Sequence, residues 1–159
     1  MSKKVFVIGC TLEGLSASLK LLRNGFKVTL IDQKNNIQED SLEFKNLLNE
    51  AKKNGLIILL NQTTKRILVD KFNRIESVIT EMREYCCHYV ISSLGRTETL
   101  ASLLKEKDFV DKNPERMRSY KYRRLYFCRM PEGKLQRKVE YGKKVSSKLS
   151  FDEKWFGSF

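Results

Sequence analysis

Residues 4–32, KVFVIGCTLEGLSASLKLLRNGFKVTLID, constrain the fold more than any other part of the chain. Val5 to Ile8 is a short unbroken apolar run, as in a strand buried on both faces. Gly9 to Gly14 is a turn. Leu15, Ala17, Leu19, Leu21 and Leu22 then fit a helix that closes at Asn24-Gly25, with Lys20 and Arg23 late in it. FKVTLID is a second strand that ends at an acid. Strand, glycine turn, helix and strand within about 30 residues make one right-handed βαβ unit, and the expected fold class is α/β with a central parallel sheet.

Three glycines do separate jobs in a turn of this kind when it binds a dinucleotide. The first permits the tight exit from the strand, the second lets the backbone approach a pyrophosphate, and the third lets the helix pack closely on the sheet. Gly9 and Gly14 keep the first and third jobs. Thr11 stands at the second, where its Cβ takes up space a phosphate needs, although its hydroxyl can donate a hydrogen bond. Asp32 ends the second strand, with seventeen residues between it and Gly14. An acid at about that distance accepts hydrogen bonds from a ribose. The pattern predicts the Rossmann-like fold and leaves two readings of the site. Either Gly9, Thr11, Leu12, Gly14 and Asp32 hold a nucleotide, or they serve turn and packing chemistry alone.

Further along, Ser41 can N-cap a helix carrying Leu42, Phe44, Leu47, Leu48 and Ala51 at helical spacing, ending at Asn54-Gly55. LIILLN reads as a buried strand, and TKRILVD and RIESVITEM as the arms of a β-hairpin about KFN. HYVISSL is the last clear strand and Thr97 to Lys105 the last clear amphipathic helix; beyond Asp108 the periodicity weakens. The expected division is a dinucleotide-binding domain over residues 1–108 and a basic, aromatic-containing extension over 109–159, packing on or completing the domain. Cys86 and Cys87 are adjacent, Cys10 and Cys128 isolated, and there is no CxxC, so neither a disulfide framework nor a zinc knuckle is expected. His88 lies in an apolar run and reads as a packed or edge residue. No apolar run reaches the roughly 18–20 residues of a membrane span, and the expectation is a soluble, cytoplasmic protein. No nucleophile–base pair, metal cluster or redox pair marks a catalytic residue.

With these residues in hand, the chain resembles FAD-dependent oxidoreductases of the flavin amine oxidase superfamily, which includes phytoene desaturases and protoporphyrinogen oxidase-like proteins. Gly9, Thr11 and Gly14 fall on that family's three glycines, Asp32 on its ribose-binding acid and Lys34 on a basic residue two places later. LLNEAKKNGLIILLNQTTKRILVDKFNRIESVITE is similar to the segment in which a helix, strand and β-meander return to the FAD domain. There Thr64 matches a position whose backbone faces the adenine. HYVISSLGRTETLASLL is similar to the next strand and, more loosely, MRSYKYRRLYFCRMPEG to the element after it. The resemblance implies FAD as cofactor, with NAD(P) or none as the alternatives, and a Rossmann-like FAD/NAD(P)-binding domain with a β-meander and a basic C-terminal extension. It also implies a reduced form: family members are two to three times longer. Their substrate domain is replaced here by a short loop, and their Arg-x-Gly-Gly stretch and C-terminal Gly-Asp motif have no counterpart. A partner chain or a second copy would then complete the site.

The formal net charge of +12 is concentrated late in the chain. From Pro114 to Lys148 twelve Lys or Arg face three acids, a net +9. Tyr120, Tyr122, Tyr126 and Phe127 interleave with Lys121, Arg123, Arg124 and Arg129. That mixture suits single-stranded nucleic acid, or else a basic surface whose aromatics pack inward; the second is the expectation, since no nucleic-acid module accompanies it. Trp155 and Phe156 either dock onto an apolar groove or offer a partner contact, and docking is the expectation.

Overall fold

The computed structural model describes residues 2–37, 41–93, 102–105, 117–119, 121–129 and 134–156. In chain order the elements are β1 (Lys4–Ile8), α1 (Leu12–Arg23), β2 (Lys27–Ile31), α2 (Leu42–Lys53), β3 (Ile57–Leu59), β4 (Thr64–Val69), β5 (Ile75–Thr80), β6 (Glu84–Cys86), β7 (Tyr89–Ser92), β8 (Leu125–Phe127) and α3 (Leu135–Phe156). A five-stranded sheet runs β3-β2-β1-β7-β8, and every pairing in it is parallel. The strands β4-β5-β6 form a separate antiparallel meander. The chain therefore leaves β1 toward β2 on one side and returns to β7 on the other. In sheets of this type ligands bind outside the carboxyl ends of the strands at such a switch.

The continuous apolar strands are explained by two cores. Val5 and Val7 of β1 face a layer containing Leu15, Leu19 and Leu21 of α1, Leu48 and Ala51 of α2, and Val145 and Leu149 of α3. Phe6 and Ile8, one residue out of phase, face Ile67, Ile75 and Val78 of the meander. Alternate side chains point to opposite faces, so a strand sandwiched between two layers is apolar at every position. The helix punctuation also follows the sequence. Ser41 Oγ accepts the Phe44 N–H at 3.1 Å at the start of α2, and both α1 and α2 close on an Asn-Gly pair, with Gly25 at φ +91° and Gly55 at φ +97°. Asp70 closes the predicted hairpin by accepting the Phe72 and Arg74 N–H groups and pairing with the Arg74 guanidinium at 2.8 Å.

The last third, where the periodicity of the sequence weakens, holds two regular elements among the described residues. Leu125–Phe127 is a buried strand of the central sheet, and α3 is 22 residues long and packs along α1. Its buried stripe is Val139, Gly142, Val145, Ser146, Leu149 and Asp152. The spacing is helical, but glycine, serine and aspartate stand where apolar residues are expected, which hides the stripe from a hydrophobicity reading. Gly142 and Asp152 have packing reasons. A Cβ on Gly142 would overlap the Glu13 carbonyl oxygen and come within 2.8 Å of Ser16 Cβ and 3.0 Å of Ala17 N. Ser16 Oγ in turn donates to the Val139 carbonyl at 2.6 Å. Asp152 accepts from Tyr126 Oη at 2.5 Å and lies 3.1 Å from both Arg118 Nη1 and Lys148 Nζ.

Tyr122, Tyr126 and Phe127 are buried, as the inward-packing reading expects, so their rings are closed to base stacking. Trp155 contradicts the expected docking. It is 65% exposed and meets Phe151, itself exposed, at a ring separation of 6.1 Å, because the apolar stripe of α3 is already spent on α1 and leaves this pair on the outer face. The Phe156 side chain, Tyr120 and most of the Thr97–Lys105 segment lie outside the described residues.

Candidate nucleotide-binding site

The carboxyl ends of β1 and β2 converge on the glycine turn. Gly9 leaves β1 at φ +98°, a left-handed conformation that favours glycine, and its N–H donates to Ile31 O at 2.8 Å. Asp32 follows β2 and reaches across: Oδ2 accepts the Cys10 N–H at 2.8 Å and Oδ1 the Lys34 N–H at 2.9 Å. One carboxylate thus ties the first turn to the second. Thr11 has extended backbone and N-caps α1, its Oγ1 accepting the Gly14 N–H at 3.0 Å. Gly14 does the packing job expected of it. A Cβ there would meet Gly9 O at 3.1 Å and Ser93 Oγ at 3.3 Å, while Ser93 hydrogen-bonds the Ile8 and Gly9 carbonyls at 2.8 Å each.

A cleft of about 670 Å³ opens over this turn. That is within the range of about 300–1,000 Å³ usual for small-molecule and cofactor sites. Six of the seven residues expected from the sequence line it: Gly9, Thr11, Leu12, Asp32, Lys34 and Thr64. Gly14 sits beneath the turn rather than on the lining. Thr64 lines the cleft, and its Oγ1 is buried with no hydrogen-bond partner among the described residues.

The sequence reading missed Arg129, Leu135 and Lys138, which also line the cleft. Arg129 stands just past β8 much as Asp32 stands just past β2. A rule that residues following parallel strands face the crevice, applied to LYFC, would have found it. Lys138 depends on α3, whose stripe was hidden. Glu13, in the first turn of α1, lines the same cleft yet is only 4% exposed.

The remaining chemistry is quiet. All four cysteines are free, and no group of three His, Cys, Asp or Glu among the described residues could hold a metal. His88 Nδ1 accepts the Lys4 N–H at 3.0 Å, which explains it as an edge residue; desolvation and the Lys3 and Arg124 charges push its pKa down. Cys10 lines the cleft, and burial together with the Asp32 charge pushes its thiol up to about 11. The thiolate is the nucleophile, so Cys10 should resist alkylation at pH 8, while the exposed Cys86 labels first. Peptide mapping after a timed iodoacetamide reaction checks the order.

No family model matches the sequence, and no curated protein matches it significantly. Solved structures do match. The chain is similar to THI4 of Thermovibrio ammonificans with a TM-score of 0.71 at 12% identity, over 96% of this chain and 90% of that one. It is similar to CtdE in complex with FAD with a TM-score of 0.52 at 11% identity, over 64% of this chain and 40% of that one. It is also similar to an oxidoreductase from Methanosarcina mazei, TM-score 0.56 at 11% identity, over 69% and 62%. The fold is the Rossmann-like FAD/NAD(P)-binding fold. The chain spans nearly the whole of THI4 but well under half of CtdE.

Proposed function

We propose that this chain binds the ADP part of FAD and is the dinucleotide-binding core of an FAD-dependent oxidoreductase-like protein. The observation that carries the reading is the cleft itself. It joins the N-terminus of α1, the carboxylate after β2 and the unpartnered Thr64 hydroxyl at the topological switch of the sheet. A helix N-terminus favours a phosphate, and an acid beyond the second strand favours a ribose. Asp32 would hold the ribose with its remaining lone pairs, Thr64 the adenine end, and Leu12 would cover the nucleotide from the first turn of α1. The flavin, when bound, supplies the redox chemistry, and the protein's part is to orient it and exclude water. The resemblance to the flavin amine oxidase superfamily supports this nucleotide half, and a partner chain or second copy would complete the flavin half.

The test is a visible spectrum of the purified protein after incubation with FAD and desalting. A retained flavin band supports the reading. Loss of all flavin, together with no thermal shift from FAD, NAD or ADP, overturns it. In the same assay Thr11→Gly frees the Gly14 N–H and removes a Cβ from the phosphate's path. It should tighten ADP binding several-fold while costing α1 only a few tenths of a kcal/mol as a cap.

A further inference from the structure

The threonine in the glycine turn and the basic last third of the chain meet in one cleft. The first N–H groups of a helix lack intrahelical partners and are what an N-terminus offers to phosphate. Here Thr11 Oγ1 already takes the Gly14 N–H, and Asp32 takes the Cys10 N–H, so two donors of the turn are committed to the chain itself. The same turn brings acids to the lining, in Asp32 and the nearly buried Glu13. Lys34 lines the cleft from beside Asp32, and two further cations come from elsewhere in the sequence. Arg129, just past β8, and Lys138, in the first turn of α3, line the cleft together with Thr11 and Leu12, and that first turn contains no acid.

We propose that Arg129 and Lys138 hold the phosphates of the bound nucleotide, taking over work that the backbone of a three-glycine turn would otherwise do. The ligand class is an adenine nucleotide bearing a pyrophosphate, and the inference rests on the nucleotide-binding reading above. Part of the basic last third is thereby explained as one wall of the site. Guanidinium and ammonium groups bind phosphate as charges, so affinity rises with the number of phosphates and falls with salt.

The experiment is a calorimetric titration of the whole chain with adenosine and with ADP at low and high salt. ADP should bind more tightly than adenosine, and the advantage should shrink as salt rises. Arg129→Ala and Lys138→Ala should each weaken ADP about tenfold, with adenosine changed by less than about twofold. Arg129→Lys should retain most of the ADP affinity. Thermal melts of each variant establish that the fold is kept; Arg129 is exposed, and its replacement should leave the melt unchanged. Equal binding of ADP and adenosine by the natural sequence overturns the inference and leaves nucleotide binding intact. So does undiminished ADP binding by a variant carrying both Arg129→Ala and Lys138→Ala, or an equal loss of both ligands in the single variants. Binding of neither ligand overturns this inference and the functional reading together.

Discussion

Gly142→Leu is expected to be among the most damaging single changes in the protein. The α1–α3 crossing is closed by backbone contact: a Cβ at position 142 would overlap the Glu13 carbonyl and crowd Ser16 Cβ and Ala17 N. Two of these neighbours are main-chain atoms of α1, which cannot rotate away as a side chain end would. Inserting bulk into a packed core costs about 1–3 kcal/mol where neighbours can adjust, and the upper end or beyond is expected here. For a chain of this size about 3 kcal/mol corresponds to a Tm lower by roughly 6–12 °C. Gly142→Ala should do less harm but still destabilise, even though alanine is the better helix former by about 1 kcal/mol. A pair of melting curves followed by circular dichroism decides it. A stable Gly142→Ala variant would show that the two helices can separate without loss.

Asp32→Ala should have the other large effect, and on two readouts at once. The carboxylate accepts N–H groups from Cys10 and Lys34, so its removal unties the end of β1 from the loop after β2. Hydrogen bonds to a charged group are worth about 1.5–3 kcal/mol each, less where solvent reaches them, and a loss of about 2 kcal/mol of stability is expected. Nucleotide binding should fall further, by about a hundredfold, because the proposed ribose acceptor and the shape of the turn go together. Asp32→Asn separates the two. Its amide oxygen can keep one of the backbone bonds, so stability should largely return while affinity recovers only in part. Full affinity in Asp32→Ala would remove this residue from the site.

Much of this architecture was legible because local chemistry and tertiary role agree over residues 4–92. The β1–α1–β2 unit, the Ser41 cap, the two Asn-Gly closures and the meander turn at Asp70 are all written in short-range signals. The same holds for the glycine-turn side of the cleft, since Gly9, Thr11, Leu12, Asp32 and Lys34 sit at fixed offsets from strand ends. What was hidden is the part that depends on a distant surface. The α3 stripe uses Gly142 because main-chain atoms of α1 lie against it and Asp152 because Tyr126 and Arg118 meet it, and no window confined to α3 contains that information. Lys138 inherits the same invisibility. Trp155 misled in the opposite sense: an aromatic residue suggests burial, but burial requires a vacant face.

The position of α3 also sets a timetable for the chain during synthesis. Helix α1 is made well before α3: the surface it buries against Val139 and Gly142 is encoded more than a hundred residues later, as in the Ser16–Val139 bond with a separation of 123. At about 5–20 residues per second that interval is roughly 6–25 s on the ribosome. Throughout it, β1 and α1 can form, but one flank of α1 has nothing to cover it. The nascent chain therefore carries an adhesive strip until α3 arrives, and newly made copies crowded on one message are most vulnerable to one another in that window.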